Sequence, residues 1–244
     1  MSETENNPFE IPAFRQRPET YLGPDRATAE KDVYRLLWDK LDAAGFRPGT
    51  ILDVGCATGD LLVYLSIRLP DASLAGLDLE PALIDAAAKR PELEAAELHV
   101  GDALSRQLGK YEMVLCFGVM GIFDGFEPLL ENLLANTAPG GRIYLQALLN
   151  PDDIDVRIAY RDNQNGRDWM RGFNIFSRVR VETWCRDRGL AARFYDFRMT
   201  SELDRRPHLP HRAYTVDMAD GSRRTTNGMC LLLPETLLEI HVPA

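Results

Sequence analysis

The sequence predicts an α/β fold, a mostly parallel sheet with helices on both faces. Three observations carry that expectation. Apolar runs that suit buried strands alternate with amphipathic runs from residue 27 to residue 149. The first apolar run, Ile51-Leu52-Asp53-Val54, enters the tight turn Gly55-Cys56-Ala57-Thr58-Gly59. The second ends in a carboxylate, Asp78, 19 positions after Gly59. Continuous apolar strands separated by helices are what a sheet covered on both faces requires.

The elements follow in order. Over residues 27–45, Ala29, Val33, Leu36, Leu37, Leu41 and Ala44 recur at helical spacing, with Gly45 as the stop and Pro48-Gly49 as a turn. Residues 50–54 form the first buried strand. A helix over 60–69 is ended by Pro70, and a second strand covers 73–79. Pro81 suits a first helical position and opens a helix to residue 90. Strands are expected at 96–100, 112–117 and 142–149. A helix over 126–138, stopped by Pro139-Gly140-Gly141, precedes the last of these. Beyond Asn150 the alternation breaks into a polar segment over 150–176, the kind of long irregular stretch that usually serves as a lid or binding loop. Ser177 suits an N-cap for a helix through Arg188, ended by Gly189. A strand over 193–199 and a Pro/His/Arg loop over 201–212 come next. A hairpin pairs 213–218 with 223–226 across Asp220-Gly221, and 229–233 and 237–242 supply the last strand or strand pair. The expected organisation is an N-terminal arm over residues 1–26 and one domain over 27–244, with loop insertions at about 150–176 and 201–226.

Composition bounds the function. With 244 residues, 45% of them hydrophobic and 27% charged, the chain suits one soluble domain. No apolar run reaches the ~20 residues of a membrane span, and the polar, acidic start lacks the pattern of a secretory signal. Cys56, Cys116, Cys185 and Cys230 are scattered, without the paired spacing of a zinc site or disulfide framework. A cytoplasmic location is the default expectation. The net charge of −9 argues against nucleic-acid partners. Residues 157–224 nevertheless hold 15 arginines and no lysine against nine carboxylates, a local balance compatible with an anionic ligand.

Glycines let backbone approach a ligand closely, and a carboxylate at the next strand end can accept from ribose hydroxyls. The motif therefore suits a nucleoside-type cofactor. A nicotinamide-binding turn would more often read G-x-G-x-x-G, whereas here the spacing is Gly55-x-x-x-Gly59. Asp53-Val54-Gly55-Cys56-Ala57-Thr58-Gly59 resembles motif I of the class I S-adenosylmethionine (SAM) dependent methyltransferases. Ala57 stands where that pattern has its middle glycine. The resemblance implies a Rossmann-like, seven-stranded sheet with an antiparallel last strand and SAM as cofactor. It gives Asp53, Gly55, Cys56, Ala57 and Gly59 to the methionine end and Asp78 with Leu79 to the ribose. Asp102 and Ala103 of Gly101-Asp102-Ala103 would meet the adenine. Phe117 and Gly118 of Cys116-Phe117-Gly118-Val119 would form the wall beside the sulfonium.

Methyl transfer is an in-line displacement, so the protein mainly aligns the nucleophile, and a hydroxyl or amine may need a base. Many relatives carry a histidine after the fourth strand. Gly118-Val119-Met120-Gly121-Ile122-Phe123 has none. His208 and His211 in the late loop, Tyr21 near the N-terminus and Asp124 are the candidate bases; His99 and His241 suit structural roles. Tyr21-Leu22-Gly23 resembles lid segments that fold over SAM. Asn150, Asp152, Asp153 and Asp155 invite comparison with carboxylate metal sites, although Asp residues also form turns and caps. Arg157, Arg161, Arg167 and Arg171 flank a segment with Tyr160, Trp169 and Phe173. Trp169-Met170-Arg171-Gly172-Phe173-Asn174 and Asn227-Gly228-Met229 are similar to segments of bacterial methyltransferases of surface-glycan and natural-product pathways. The acceptor is expected to be a small molecule or sugar-like, possibly anionic, and methylated at oxygen. An N-methyltransferase and a non-catalytic SAM-fold binding protein stay open as alternatives. The oligomeric state is not legible.

Overall fold

The computed structural model describes residues 19–22, 30–164 and 168–244. Most of the N-terminal arm, Gly23 and Arg167 lie outside the described residues.

A short helix α1 (Glu19–Leu22) precedes α2 (Asp32–Ala43). The alternating core follows: β1 (Thr50–Val54), α3 (Asp60–Arg68), β2 (Ser73–Asp78), α4 (Pro81–Ala87), β3 (Glu97–Val100), β4 (Tyr111–Phe117), α5 (Glu127–Ala135) and β5 (Thr137–Asn150). The first insertion holds the small strands β6 (Ala159–Arg161), β7 (Trp169–Arg171) and β8 (Phe176–Ser177). Then come α6 (Arg178–Arg186), β9 (Ala191–Asp196), β10 (Tyr214–Asp217), β11 (Arg223–Thr226) and β12 (Glu235–His241).

The main sheet runs β3-β2-β1-β4-β5-β12-β9, with β8 beside β5. β1 to β5 are mutually parallel, and β12 is antiparallel to both β5 and β9. This is the Rossmann-like sheet that the resemblance implies. Successive strand residues point to opposite faces, so each strand feeds two cores. On one face Ile51, Met113, Leu115, Tyr144 and Leu237 pack with Leu37 and Leu41 of α2 and Leu61, Leu62 and Leu65 of α3. On the other Leu52, Val54, Val114, Cys116, Leu145 and Ile240 pack with Leu129, Leu130 and Leu133 of α5 and Val181, Trp184 and Cys185 of α6. Burying one such aliphatic side chain contributes about 1.5–3 kcal/mol. The sheet's register is therefore held from both sides.

The differences from the sequence expectation have local causes. The helix before β5 stops at Ala135, because the Asn136 carboxamide turns to accept from the Leu108 amide (2.8 Å) and Thr137 already pairs with Tyr111. Pro139-Gly140-Gly141 thus lies inside β5, where the pairing with β4 shifts register between Tyr111 and Met113. Residues 229–233 are not a strand: a turn over 228–229, closed by the Cys230 amide donating to the Asn227 carbonyl (2.9 Å) with Cys230 at φ 59°, leads into an irregular stretch before β12. The polar segment after Asn150 is ordered by pairing, β6 with β7 and Val156 with Ile175.

Candidate functional site

Parallel sheets expose the C-terminal ends of their strands, and the turns leaving those ends build the site. After β1 the Gly55 and Cys56 amides both donate to the Leu77 carbonyl, at 2.7 and 3.1 Å, which ties the turn to the tip of β2. Gly55 takes φ 80°, and a Cβ there would collide with a Val119 methyl from the turn after β4. Ala57 adopts φ 50°, the left-handed conformation in which a glycine would be unstrained. Its amide donates to Asp78 Oδ2 at 2.8 Å, while Asp78 Oδ1 accepts from the Glu80 amide at 3.0 Å. Asp78 is thus aimed back at the turn by two backbone donors. Burial raises its carboxyl above the ordinary range, and those donors oppose the rise.

A cavity of about 300 Å³ opens beside this turn. Asp53, Gly55, Cys56, Ala57, Lys31 and Tyr34 line one end. Following the strand order β1-β4-β5-β12, Phe117, Gly118 and Gly121 come next, and Gln146 and Glu235, with Phe173 and Leu233, line the cavity on the far side of β4. Asp53 is 3% exposed. Burial, then the charge of Asp78, push its carboxyl up to about 7, with Lys31 pulling the other way. Such a carboxylate suits a cationic ligand group, which would relieve the burial of its charge. Cys56 and Cys116 are buried, which pushes their thiols well up, so neither is a thiolate nucleophile.

Of the residues singled out in the sequence, Asp53, Gly55, Cys56, Ala57, Phe117, Gly118 and Tyr21 line this cavity. Gly59 lies at the start of α3, where an added Cβ would press on Leu93 at 2.5 Å. Asp78 and Leu79 sit at the tip of β2, Asp102 and Ala103 just past β3, all outside the cavity lining. Leu79 is 48% exposed, an apolar surface beside the Asp78 carboxylate, and Asp102 accepts from the Leu104 amide at 2.9 Å.

His208 and His211 lie in the second insertion and are not among the lining residues; the His211 ring stacks on Tyr160 of the first insertion, with centroids 6.0 Å apart. The two insertions therefore meet. Asp124 pairs with the buried Arg171, which is 6% exposed, and lies 3.9 Å from Arg157. Arg161 covers the Trp169 ring at 5.3 Å. Asp153 accepts from the Ser177 hydroxyl (2.6 Å), and Asp155 accepts from the Ser177 amide (2.7 Å) and pairs with Arg180. Those carboxylates anchor the start of α6, and no cluster of three or more metal-ligating side chains occurs among the described residues. His99 lies 3.8 Å from Glu97, and His241 bonds the buried Glu239 at 2.7 Å, beside Tyr144 and Tyr195.

Two residues escape the sequence reading. Asn174, 2% exposed, accepts from the Ile158 amide (3.0 Å) and donates through Nδ2 to the Phe123 carbonyl (2.9 Å). Its own amide donates to Gly121 at 2.7 Å, so one side chain and its backbone dock the first insertion on the turn after β4. Glu235, the first residue of β12, enters the cavity, where Gln146 Nε2 donates to its Oε2 at 3.5 Å. Burial raises its carboxyl above the ordinary range, while bonds from Thr225 and Gln146 lower it. The sequence signal for Glu235 is weak: an acid opening a mostly apolar strand that also holds Glu239.

The comparisons agree with this architecture. The family described as a methyltransferase domain matches residues 27–193. A demethylmenaquinone methyltransferase of Thermus thermophilus is 31% identical over 119 residues, 47% of this chain and 54% of that protein. A ribosomal protein L11 methyltransferase of Dechloromonas aromatica is 27% identical over 61% of this chain and 51% of its own. The chain spans about half the length of the curated relatives it matches. Among solved structures, a SAM-bound amino pentose methyltransferase from Micromonospora echinaspora shares the fold at TM-score 0.57 and 17% identity, covering 96% of this chain and 99% of the other. The SAM-bound magnesium protoporphyrin IX methyltransferase of Synechocystis does so at 0.51 and 15%, covering 86% and 78%. With a glycine turn that a Cβ would block and a methyltransferase-domain match over residues 27–193, the chain belongs to the class I S-adenosylmethionine-dependent methyltransferases.

Proposed function

We propose that the protein transfers a methyl group from SAM to a small-molecule or sugar-like acceptor, at a hydroxyl oxygen. The observation that carries this reading is one continuous cavity reaching from the β1 turn, past Phe117 and Gly118, to Gln146, Phe173 and Glu235. SAM, when bound, supplies an electrophilic methyl on a cationic sulfur. Asp53 would face its ammonium, Lys31 its carboxylate and Asp78 its ribose. Leu79 would lie beside the ribose with Asp78, Asp102 with Ala103 would border the adenine, and Phe117 with Gly118 the sulfonium. Tyr21, in the lining, suits a lid over that end. His208 and His211 are not among the lining residues, and the His211 ring stacks on Tyr160, so a part for either in proton transfer would need the second insertion to approach the acceptor. Any negative charge on the acceptor would sit away from the reacting atom, near Arg157 and Arg161. A second reading, transfer to an amine, is favoured by Glu235, because a carboxylate attracts an ammonium group.

Calorimetric titration with SAM and S-adenosylhomocysteine tests the reading. One site per chain for both ligands is the expected outcome. A folded protein that binds neither would leave a non-catalytic use of the fold.

A further inference from the structure

The acceptor end of the cavity is built by elements far apart in the chain. Gly118 donates its amide to the Gln146 carbonyl at 3.0 Å, so the wall after β4 is tied to β5. A Cβ on Gly118 would lie 3.6 Å from Gln146 Oε1, which puts the carboxamide against that wall. The other end of the same carboxamide donates to Glu235. Gln146 thus bridges the wall beside the expected sulfonium and the Glu235 carboxylate. β12 is antiparallel to its neighbours, so its first residue arrives beside the C-terminal ends of β4 and β5. Thr225 of β11, 5% exposed, holds Glu235 from the far side. Among the described lining residues of this end, Glu235 alone is ionisable. The other charged groups of the cavity, Lys31, Asp53 and Asp60, lie at the turn after β1 and the helices beside it.

We infer that Glu235 is a catalytic residue: it faces the transferring methyl across the cavity and receives the proton of an acceptor hydroxyl or amine, with Gln146 positioning it. This rests on the methyl-transfer reading. The acceptor's lone pair forms the bond to the methyl carbon as the sulfur–carbon bond breaks. The electron pair of that bond stays on sulfur, leaving S-adenosylhomocysteine, and the acceptor's proton passes to the Glu235 carboxylate, then to solvent as product leaves. An acceptor with an O–H or N–H at its reacting atom suits this wall, and a carboxylate or phosphate there would be repelled.

SAM and S-adenosylhomocysteine differ by a positive charge at the sulfur, which gives a test independent of any acceptor. The full chain is labelled with ¹³C-carboxyl glutamate, the Glu235 signal is assigned by its loss in Glu235→Gln, and its titration is followed in each complex. A carboxylate facing the sulfonium should titrate about one pH unit lower with SAM bound than with S-adenosylhomocysteine. By linkage, Glu235→Gln should lower the ratio of SAM to S-adenosylhomocysteine affinity about tenfold above both midpoints. Glu235→Asp, which keeps the charge, should restore part of that ratio. Equal midpoints and an unchanged ratio would overturn the assignment of Glu235 while the methyl-transfer reading stood. Failure of the wild-type chain to bind either ligand would overturn both.

Discussion

The end of the cavity at the β1 turn, proposed for the cofactor, and the end at Gln146 and Glu235, proposed for the acceptor, are built in opposite ways. At the first end, Gly55 and Ala57 line the cavity and Asp78 backs them from the tip of β2, all within one strand-turn-helix-strand unit whose geometry comes from neighbouring backbone, as in the Gly55 and Ala57 amide bonds. At the acceptor half, Gln146 and Glu235 meet across 89 residues of sequence, and Phe173 reaches the cavity only because Asn174 docks the first insertion. The first design tolerates little change in its backbone. The second can change its insertions while the sheet stays the same, so acceptor choice can vary on a constant cofactor frame.

The largest effect that would break this contrast is at Gly55. Gly55→Val should cost roughly 1,000-fold in SAM affinity, about 4 kcal/mol, because the side chain meets Val119 and the backbone is left-handed. Calorimetry on a folded variant checks it, and near-normal affinity would separate the turn from the cofactor. Asp53 comes next. Its folded carboxyl titrates at about 7 against an ordinary 3.8, so between those values the folded chain holds a proton that the unfolded chain has lost. Stability of the ligand-free protein should therefore fall as pH rises from about 4 to 7 and level off above. Asp53→Asn should remove that fall, a difference on the order of 4 kcal/mol at pH 8, read by urea unfolding across pH. A parallel pH dependence in the variant would assign the loss elsewhere.

Smaller effects sharpen the comparison. Asp78→Ala should weaken SAM binding by about 1.5–3 kcal/mol with the fold intact, since a ribose hydroxyl would lose a charged acceptor. Asn174→Ala should cost about 1–3 kcal/mol by leaving the Ile158 amide without its side-chain acceptor. Hydrogen exchange should then quicken across residues 156–175 while β1 and β4 keep their protection. Uniform quickening would mean that the insertion is part of the core. Smallest, Ala57→Gly should relax the left-handed turn and leave SAM affinity within a few fold, a stability change of about 0.5 kcal/mol.

The same contrast explains what could be read from the residues alone. The glycine turn, Asp78 at its strand tip and the parallel core were legible, because each signal lies within one local unit and repeats the period of its element. Phe117 and Gly118 as a wall beside the sulfonium followed only from the family resemblance, and the structure puts both in the cavity lining. Asn174 and Glu235 were not legible, since their importance arises from pairings, β5 with β12 and Gly121 with Asn174, that no local pattern encodes. The arginines of the first insertion suggested an anion site, yet Arg171 is buried against Asp124, a long-range partner. The run over 229–233 carried strand-like residues, and the turn at Asn227 and Cys230 overrode them.

A crystal structure of the chain with S-adenosylhomocysteine would test the two-halved cavity most directly. The amino-acid end should lie between Asp53 and Lys31, the ribose on Asp78, and the sulfur beside Phe117 and Gly118, open toward Gln146 and Glu235. A ligand bound elsewhere, or a sulfur turned away from Glu235, would contradict the arrangement.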